Sequence, residues 1–305
     1  MPASKWHDFG DGTAALIGGS NIGCIIQGDH AILIDAGLDA DTAHRASREV
    51  TQMGGKIEAV ALTHGHADHF GGAAWIERSF DAPVYAAPLE GAFATHPSLE
   101  PLMLYGGAAP IRELRGKFTL AREGVPVIHP LNPGPTQIGG IPLEVMALPG
   151  HSPSQIGFVF ASDQNRQTCF CGDAVFPPAT LARHPILFCA DVDAWLETLQ
   201  WLATSSYERY IAGHGDPVTD IRPLVESTSQ RLHELRELVH ETLKAAPQEP
   251  FDVLRAVATR YGIDFTAPQF FLLSLTAINA MLSSLQRADA AEVVMEHNRM
   301  LWYAK

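Results

Sequence analysis

Short apolar runs bounded by glycine, proline or aspartate set the rhythm of the first two-thirds of the chain. Ala14-Ala15-Leu16-Ile17, Cys24-Ile25-Ile26 and Ala31-Ile32-Leu33-Ile34 read as paired strands across residues 12–37. The pattern recurs at Ala59-Val60-Ala61-Leu62, Val84-Tyr85-Ala86-Ala87, residues 143–148, Thr168-Cys169-Phe170-Cys171 and Tyr210-Ile211-Ala212. Residues 40–53 carry the helical period instead, and a further helix begins near Gly71-Gly72-Ala73-Ala74-Trp75-Ile76. Residues 18–23 have the look of a phosphate loop, but no helical pattern follows and no Lys-Ser/Thr closes it, so they read as a hairpin turn. Strands alternating with helices, first before and then after residue 140, predict two packed sheets with helices outside, an α/β architecture.

From residue 222 the pattern changes, which divides the chain into a domain of residues 1–221 and a mainly helical one of residues 222–305. Leu224, Leu232, Leu235, Val239 and Leu243 trace one face of a long helix. Phe251, Leu254, Val257, Ala258 and Tyr261 trace a second, stopped by Gly262, and residues 268–285 form a third. Residues 292–295 and 300–303 close the chain as two strands. This segment holds nine Lys/Arg against ten Asp/Glu and no basic stripe, which argues against DNA binding. Packing on the first domain, walling its site or making a homodimer contact are the roles it is expected to serve.

Residues 63–69 read Thr-His-Gly-His-Ala-Asp-His, so His64, His66, Asp68 and His69 stand together directly after a strand. Imidazole and carboxylate are donors for zinc, iron and manganese alike. Three further strands end in the same way, at His151 after Pro149-Gly150, at Asp173 after Gly172, and at His214 after Gly213. Four strand ends converging on one edge of a sheet would bring seven ligands together. A cluster of neutral His and ionised Asp is costly to bury without a cation, so a metal site is expected.

Residue for residue, this constellation resembles the metallo-β-lactamase superfamily, whose pattern is His-x-His-x-Asp-His followed by a His, an Asp and a His after successive strands. The match spans roughly residues 12–218. The resemblance implies an αββα sandwich of two mixed β-sheets flanked by helices. It further implies that His64, His66 and His151 hold one divalent ion and that Asp68, His69 and His214 hold a second, with Asp173 bridging both. Zinc is the expected metal, with iron or manganese as alternatives. A water shared by the ions would lose its proton near neutral pH and attack an acyl carbon. Asp68 and Asp173 are the catalytic carboxylates on this reading, Asp68 as a ligand that also orients the hydroxide. The three helices and terminal strands of residues 222–305 resemble the winged-helix appendage of some metallo-hydrolases.

Composition narrows the partners. With 305 residues, 46% of them hydrophobic and 18% charged, the chain is globular, and a formal charge of −13 argues against a nucleic-acid backbone as partner. No apolar run approaches the roughly 18–20 residues that span a bilayer, and the first eight residues lack the apolar core of a signal peptide. The expectation is a cytoplasmic protein with no membrane partner. Its four cysteines form no disulfide framework; Cys169 and Cys171 share one side of a strand and read as core, with a metal role for Cys171 as the alternative.

The thioester hydrolases related to glyoxalase II use this full ligand set, and Pro-Gly-His-Ser-Pro-Ser-Gln-Ile-Gly at residues 149–157 resembles a stretch common in that branch. A small acyl substrate is therefore expected, foremost a thioester of the hydroxyacylglutathione type, although no basic grip for glutathione is evident. A lactone, another ester or a β-lactam is the alternative. Lactonases acting on acyl-homoserine lactones usually place a Tyr where Phe176 stands here. A metal-binding interaction module is the non-enzymatic reading, set against the retention of all seven ligands. Residues 88–136, rich in Pro and Gly, read as a lid, against the alternative of a helical insertion packed on itself. Tyr105 and Met103 in that segment, with Phe176 and His184 beyond the bridging Asp, are the expected substrate contacts.

Overall fold

The computed structural model describes residues 4–305. Seven strands form the first sheet: β1 (Lys5–Asp8), β2 (Thr13–Ile17), β3 (Ile22–Gln27), β4 (His30–Ile34), β5 (Lys56–Ala61), β6 (Val84–Ala86) and β7 (Ile128–Pro130), in that spatial order. The first four are antiparallel, and residues 18–21 form the predicted β2–β3 turn. From β4 onward the pairing is parallel, because helices carry the chain back between strands. These are α1 (Ala40–Gln52), then α2 (Ala67–Phe70) and α3 (Ala73–Phe80), then α4 (Pro88–Thr95) and α5 (Leu99–Leu104). Asp39 starts α1 by accepting a hydrogen bond from Thr42 N at 3.0 Å.

The second sheet holds β8 (Gly134–Ile138), β9 (Ile141–Ala147), β10 (Ile156–Ala161), β11 (Gln167–Gly172) and β12 (Arg209–Ala212), ordered β12-β11-β10-β9-β8. Only β11 and β12 run parallel there, joined through α6 (Pro178–Arg183) and α7 (Val192–Thr204). Both sheets are mixed and both are covered by helices. That is why the central strands β3, β4, β10 and β11 are buried on both faces. Phe158, Phe160 and Phe170 point between the sheets against Ile32, Ile34 and Ala59. Their neighbours Val159, Cys169 and Cys171 point outward against Trp195 and Leu199 of α7. Leu33 and Val60 meet Ala43, Ala46 and Val50 of α1 on the outside of the first sheet. Cys171 is thus a core residue whose Sγ lies 3.7 Å from Ile211 O, and burial with the nearby Asp173 charge pushes its thiol up to about 12.

The chain ends in α8 (Arg222–Ala245), α9 (Pro250–Arg260), α10 (Pro268–Arg287) and a hairpin of β13 (Ala291–Glu296) and β14 (Arg299–Ala304). Leu232, Leu235, Val239 and Leu243 are buried, as their spacing predicts. Phe251 differs: it is 51% exposed and stacks on Phe271, while Val253 takes the buried position. By length and composition alone α10 could cross a bilayer, contrary to the sequence reading. Its Ile278, Met281, Leu282 and Leu285 are instead buried in the same apolar cluster as Trp195. Polar contacts fix it there, with Ser284 Oγ donating to Asp193 at 2.6 Å and Arg287 pairing with Asp191 and Asp193.

An ion pair joins the two sheets away from the ligand cluster. Arg209 of β12 donates to Asp11 at 2.8 Å in the turn after β1, and its guanidinium lies 4.1 Å from the Phe9 ring centre. Burial alone would raise the Asp11 carboxyl, but hydrogen bonds from Thr13 and Arg209 hold it below its ordinary range. A depressed carboxylate contributes stability above its unfolded pKa and loses it as pH falls through the folded value. Asp11→Ala is accordingly expected to cost about 3 kcal/mol at pH 7, with the difference from wild type shrinking in acid. Urea denaturation across pH measures both.

Candidate metal centre

The ligand-bearing strand ends belong to two sheets, not to one edge as the sequence suggested. His64, His66, Asp68 and His69 follow β5 of the first sheet, while His151, Asp173 and His214 follow β9, β11 and β12 of the second. The site therefore straddles the gap at one end of the sandwich. His66 is the N-cap residue of α2, and Asp68 and His69 lie within that single turn. Asp68 Oδ2 accepts from Ser20 Oγ at 2.7 Å.

Donor atoms of His64, His66 and His151 all lie within 4.8 Å of one another, as do those of Asp68, His69 and His214, and those of His64, His69 and Asp173. Asp173 stands between the two triads. Its Oδ1 is 3.5 Å from His69 Nε2, and its Oδ2 is 3.4 Å from His151 Nε2 and 3.3 Å from His214 Nε2. His64 Nε2, His69 Nε2 and Asp173 Oδ1 are buried with no hydrogen-bond partner. Buried polar atoms left unpaired are costly and rare. Three converging on one point are the signature of donors awaiting a cation, so the residues fit divalent metal.

Electrostatics separates the triads. Burial pushes His64, His66 and His151 down, His151 to about 3, so all three are neutral donors. Burial also opposes charge on His69 and His214, but Asp173 and Asp68 override it, raising His69 well above its ordinary value and His214 to about 9. The opposite partners reciprocate: burial would raise Asp173, yet His214 and His69 hold it well below the carboxylate range.

A second layer orients the donors. Asp35 Oδ2 lies 2.9 Å from His69 Nδ1 and accepts from Thr63 Oγ1 at 2.8 Å, while its Oδ1 accepts from Thr63 N at 2.7 Å. His214 Nδ1 donates to Gly19 O at 2.6 Å, which leaves Nε2 for the metal. Gly150 takes φ +132°, and a Cβ there would collide with Trp195.

Glu90 of α4 ties two ligand loops together. It accepts from Gly65 N at 2.8 Å, between His64 and His66, and from Ser152 Oγ and Ser154 N at 2.7 Å, beside His151. Glu90→Ala would leave three donors unpaired. The expected cost is about 3 kcal/mol in stability together with reduced metal content, measured by urea titration and elemental analysis.

The four expected substrate contacts are dispersed. Met103 lines a cavity beside His66. Tyr105 ends α5, 38% exposed and outside that lining. Phe176 is buried, its ring stacked 5.9 Å from His214 and edge-on to His151 at 5.6 Å, so it backs the ligands. His184 is exposed at the end of α6. Residues 88–136 hold α4, α5, a 3-10 turn at Arg112–Arg115 and β7, with Phe93 and Met103 facing the cavity. Sequence reasoning missed Asp35, Glu90, Phe188 and Thr276. The strand exit Asp35-Ala36-Gly37 follows the same rule as the other ligand sites and could have revealed the first; the others carry no local signal.

A family model described as the metallo-β-lactamase superfamily matches residues 16–214. The probable metallo-hydrolase YybB of Bacillus subtilis is 28% identical over 200 residues, covering 64% of this chain and 80% of that protein. The hydroxyacylglutathione hydrolase GloC of Haemophilus influenzae is 24% identical over 147 residues, covering 48% of this chain and 62% of that protein. A β-lactamase domain protein of Burkholderia ambifaria has a similar fold, with a TM-score of 0.76 at 18% identity, covering 100% of this chain and 95% of its own.

Proposed function

Because the chain belongs to the metallo-β-lactamase superfamily, we propose that it is a hydrolase that holds two divalent ions, zinc foremost, and cleaves an acyl thioester. The observation that carries this reading is the convergence of seven donors, three of them buried atoms without partners. His64, His66 and His151 would hold one ion, Asp68, His69 and His214 the other, and Asp173 would bridge. Metal bound there would supply an activated water near neutral pH and polarise the scissile carbonyl. The chain's own part is orientation: Asp35 fixes His69, Gly19 fixes His214, and Ser20 fixes Asp68. Phe176 and Phe188 shield the His151 face, Phe188 lying edge-on to His66 at 4.9 Å and to His151 at 5.7 Å.

Support for the thioester comes from the similarity to hydroxyacylglutathione hydrolases over about half the chain, and from residues 149–157. A lactone is the alternative, and the buried, hydroxyl-free Phe176 beside His214 disfavours it. The terminal helices and hairpin, which we read as winged-helix-like, serve as a wall of the site, since Thr276 of α10 lines the cavity with His66. The test is hydrolysis of S-lactoylglutathione and of an acyl-homoserine lactone by protein verified to carry two metals. Thioester turnover supports the reading. Lactone turnover alone moves the assignment to lactonase, and inertness toward both overturns it.

A further inference from the structure

Next to the first triad lies a cavity of about 40 Å³. Phe93, Met103, Pro153, Phe188, Ala190 and Thr276 line it together with His66. Its surface is almost entirely apolar. Among the described residues none of those lining it is Lys or Arg. The one charged group, Glu90, already accepts from Gly65, Ser152 and Ser154, so neither oxygen is left to bind a ligand. A carboxylate entering here would meet the Glu90 carboxylate and only hydroxyls already committed elsewhere, Ser152 to Glu90 and Thr276 to Leu272 O.

From these features we infer that the cavity seats the acyl half of the substrate, and that this acyl group is an uncharged alkyl chain of roughly three or four carbons. Size sets the length: one water needs about 10–15 Å³ of such space, so this cavity takes about three to four atoms in a row. Position sets the role. His66, a proposed metal ligand, lines the cavity, so a chain seated there has one end beside the metal centre, which is where the scissile carbonyl has to be. Thr276 comes from α10, anchored to α7 through Asp193, so the terminal helices set the depth of the cavity. Met103, 42% exposed, stands at its outer side. The inference rests on the hydrolase reading only in naming the occupant an acyl group; the cavity's preference for a short, neutral chain stands apart from turnover.

Calorimetry with metal-loaded protein tests it, using straight-chain alkyl hydroxamates of two to eight carbons and a four-carbon hydroxamate ending in a carboxylate. Affinity is expected to rise roughly fourfold per carbon up to about four carbons and then level or fall, with the acid-ended probe weaker than its neutral counterpart. Thr276→Phe, which fills the cavity from α10, should move the optimum to two carbons. Met103→Ala, which opens its outer side, should move it to six or more. The two variants shift in opposite directions, so a misfolded Thr276→Phe leaves the second to decide. Equal affinity along the series, no binding by any member, or preference for the acid-ended probe overturns the inference. A chain-length optimum in protein that hydrolyses neither thioester nor lactone would retain the cavity and discard the hydrolase reading. Thioester turnover with no chain-length dependence would do the reverse.

Discussion

Asp173→Ala protein is expected to lose at least about 10³-fold in kcat/KM on the best substrate found, about 4 kcal/mol of transition-state stabilisation. The size follows from position. Asp173 lies within 3.3–3.5 Å of ligand atoms from both triads, His69 and His214 on one side and His151 on the other. In the proposed two-ion site, removing it would take a donor from each ion and the charge that compensates both. In metal-free protein the same carboxylate is the counter-ion that raises His214 and His69, so its loss should also lower the melting temperature of chelator-treated protein relative to wild type. Asp173→Asn keeps the shape and loses the charge, and should fall between. Elemental analysis and kcat/KM measured on the same preparations decide the matter. Wild-type metal content with unchanged kcat/KM would remove Asp173 from the site.

Much of this site was legible because its residues obey a local rule: an apolar strand ends, a glycine follows or precedes, and a donor stands at the exit. That rule locates His151, Asp173 and His214 as well as the 64–69 cluster. It does not say which sheet a strand joins, since β5 and β11 are equally apolar on both faces, and so the convergence was assigned to one sheet edge where the structure uses two. The outer layer was harder. Glu90 follows Val84-Tyr85-Ala86 on a short helix, and nothing nearby in sequence shows that it will accept from Ser152 and Ser154, more than 60 positions away. Thr276 sits in an apolar helix whose pattern speaks only of packing, yet it lines the same cavity as His66. Phe251 illustrates the converse error: periodicity marked it as core, but stacking on Phe271 leaves it half exposed. Local pattern predicts what a residue needs, and long-range packing decides who supplies it.

Gly213→Ala should be nearly as damaging as loss of a ligand, although it adds one methyl group. A Cβ at that position would fall on Asp173 Oδ1 and stand 2.7 Å from His69 Cε1. The backbone has nowhere to retreat, because Gly213 N donates to Gly172 O and Gly213 O accepts from Asn21 N, both at 2.7 Å. Asn21 also donates through its side chain to Ala212 O and Gly215 O, fixing the loop on either side. The methyl group must therefore displace Asp173 or His69, the proposed bridging donor or a donor of the second triad. Overpacking of this kind costs about 1–3 kcal/mol, which a chain of this size should survive as a folded protein with a modestly lower melting temperature. Metal affinity should drop by up to about 100-fold, the upper range seen when the shell around a ligand is disturbed, and kcat/KM should fall with it. Gly116→Ala is the matched control, since a Cβ there meets nothing within 4 Å and its φ is not positive. Isothermal titration of both variants with zinc separates the outcomes. If Gly213→Ala binds two ions as tightly as wild type, the approach of the β12 exit to Asp173 does not position the site, and the requirement for glycine there has another cause.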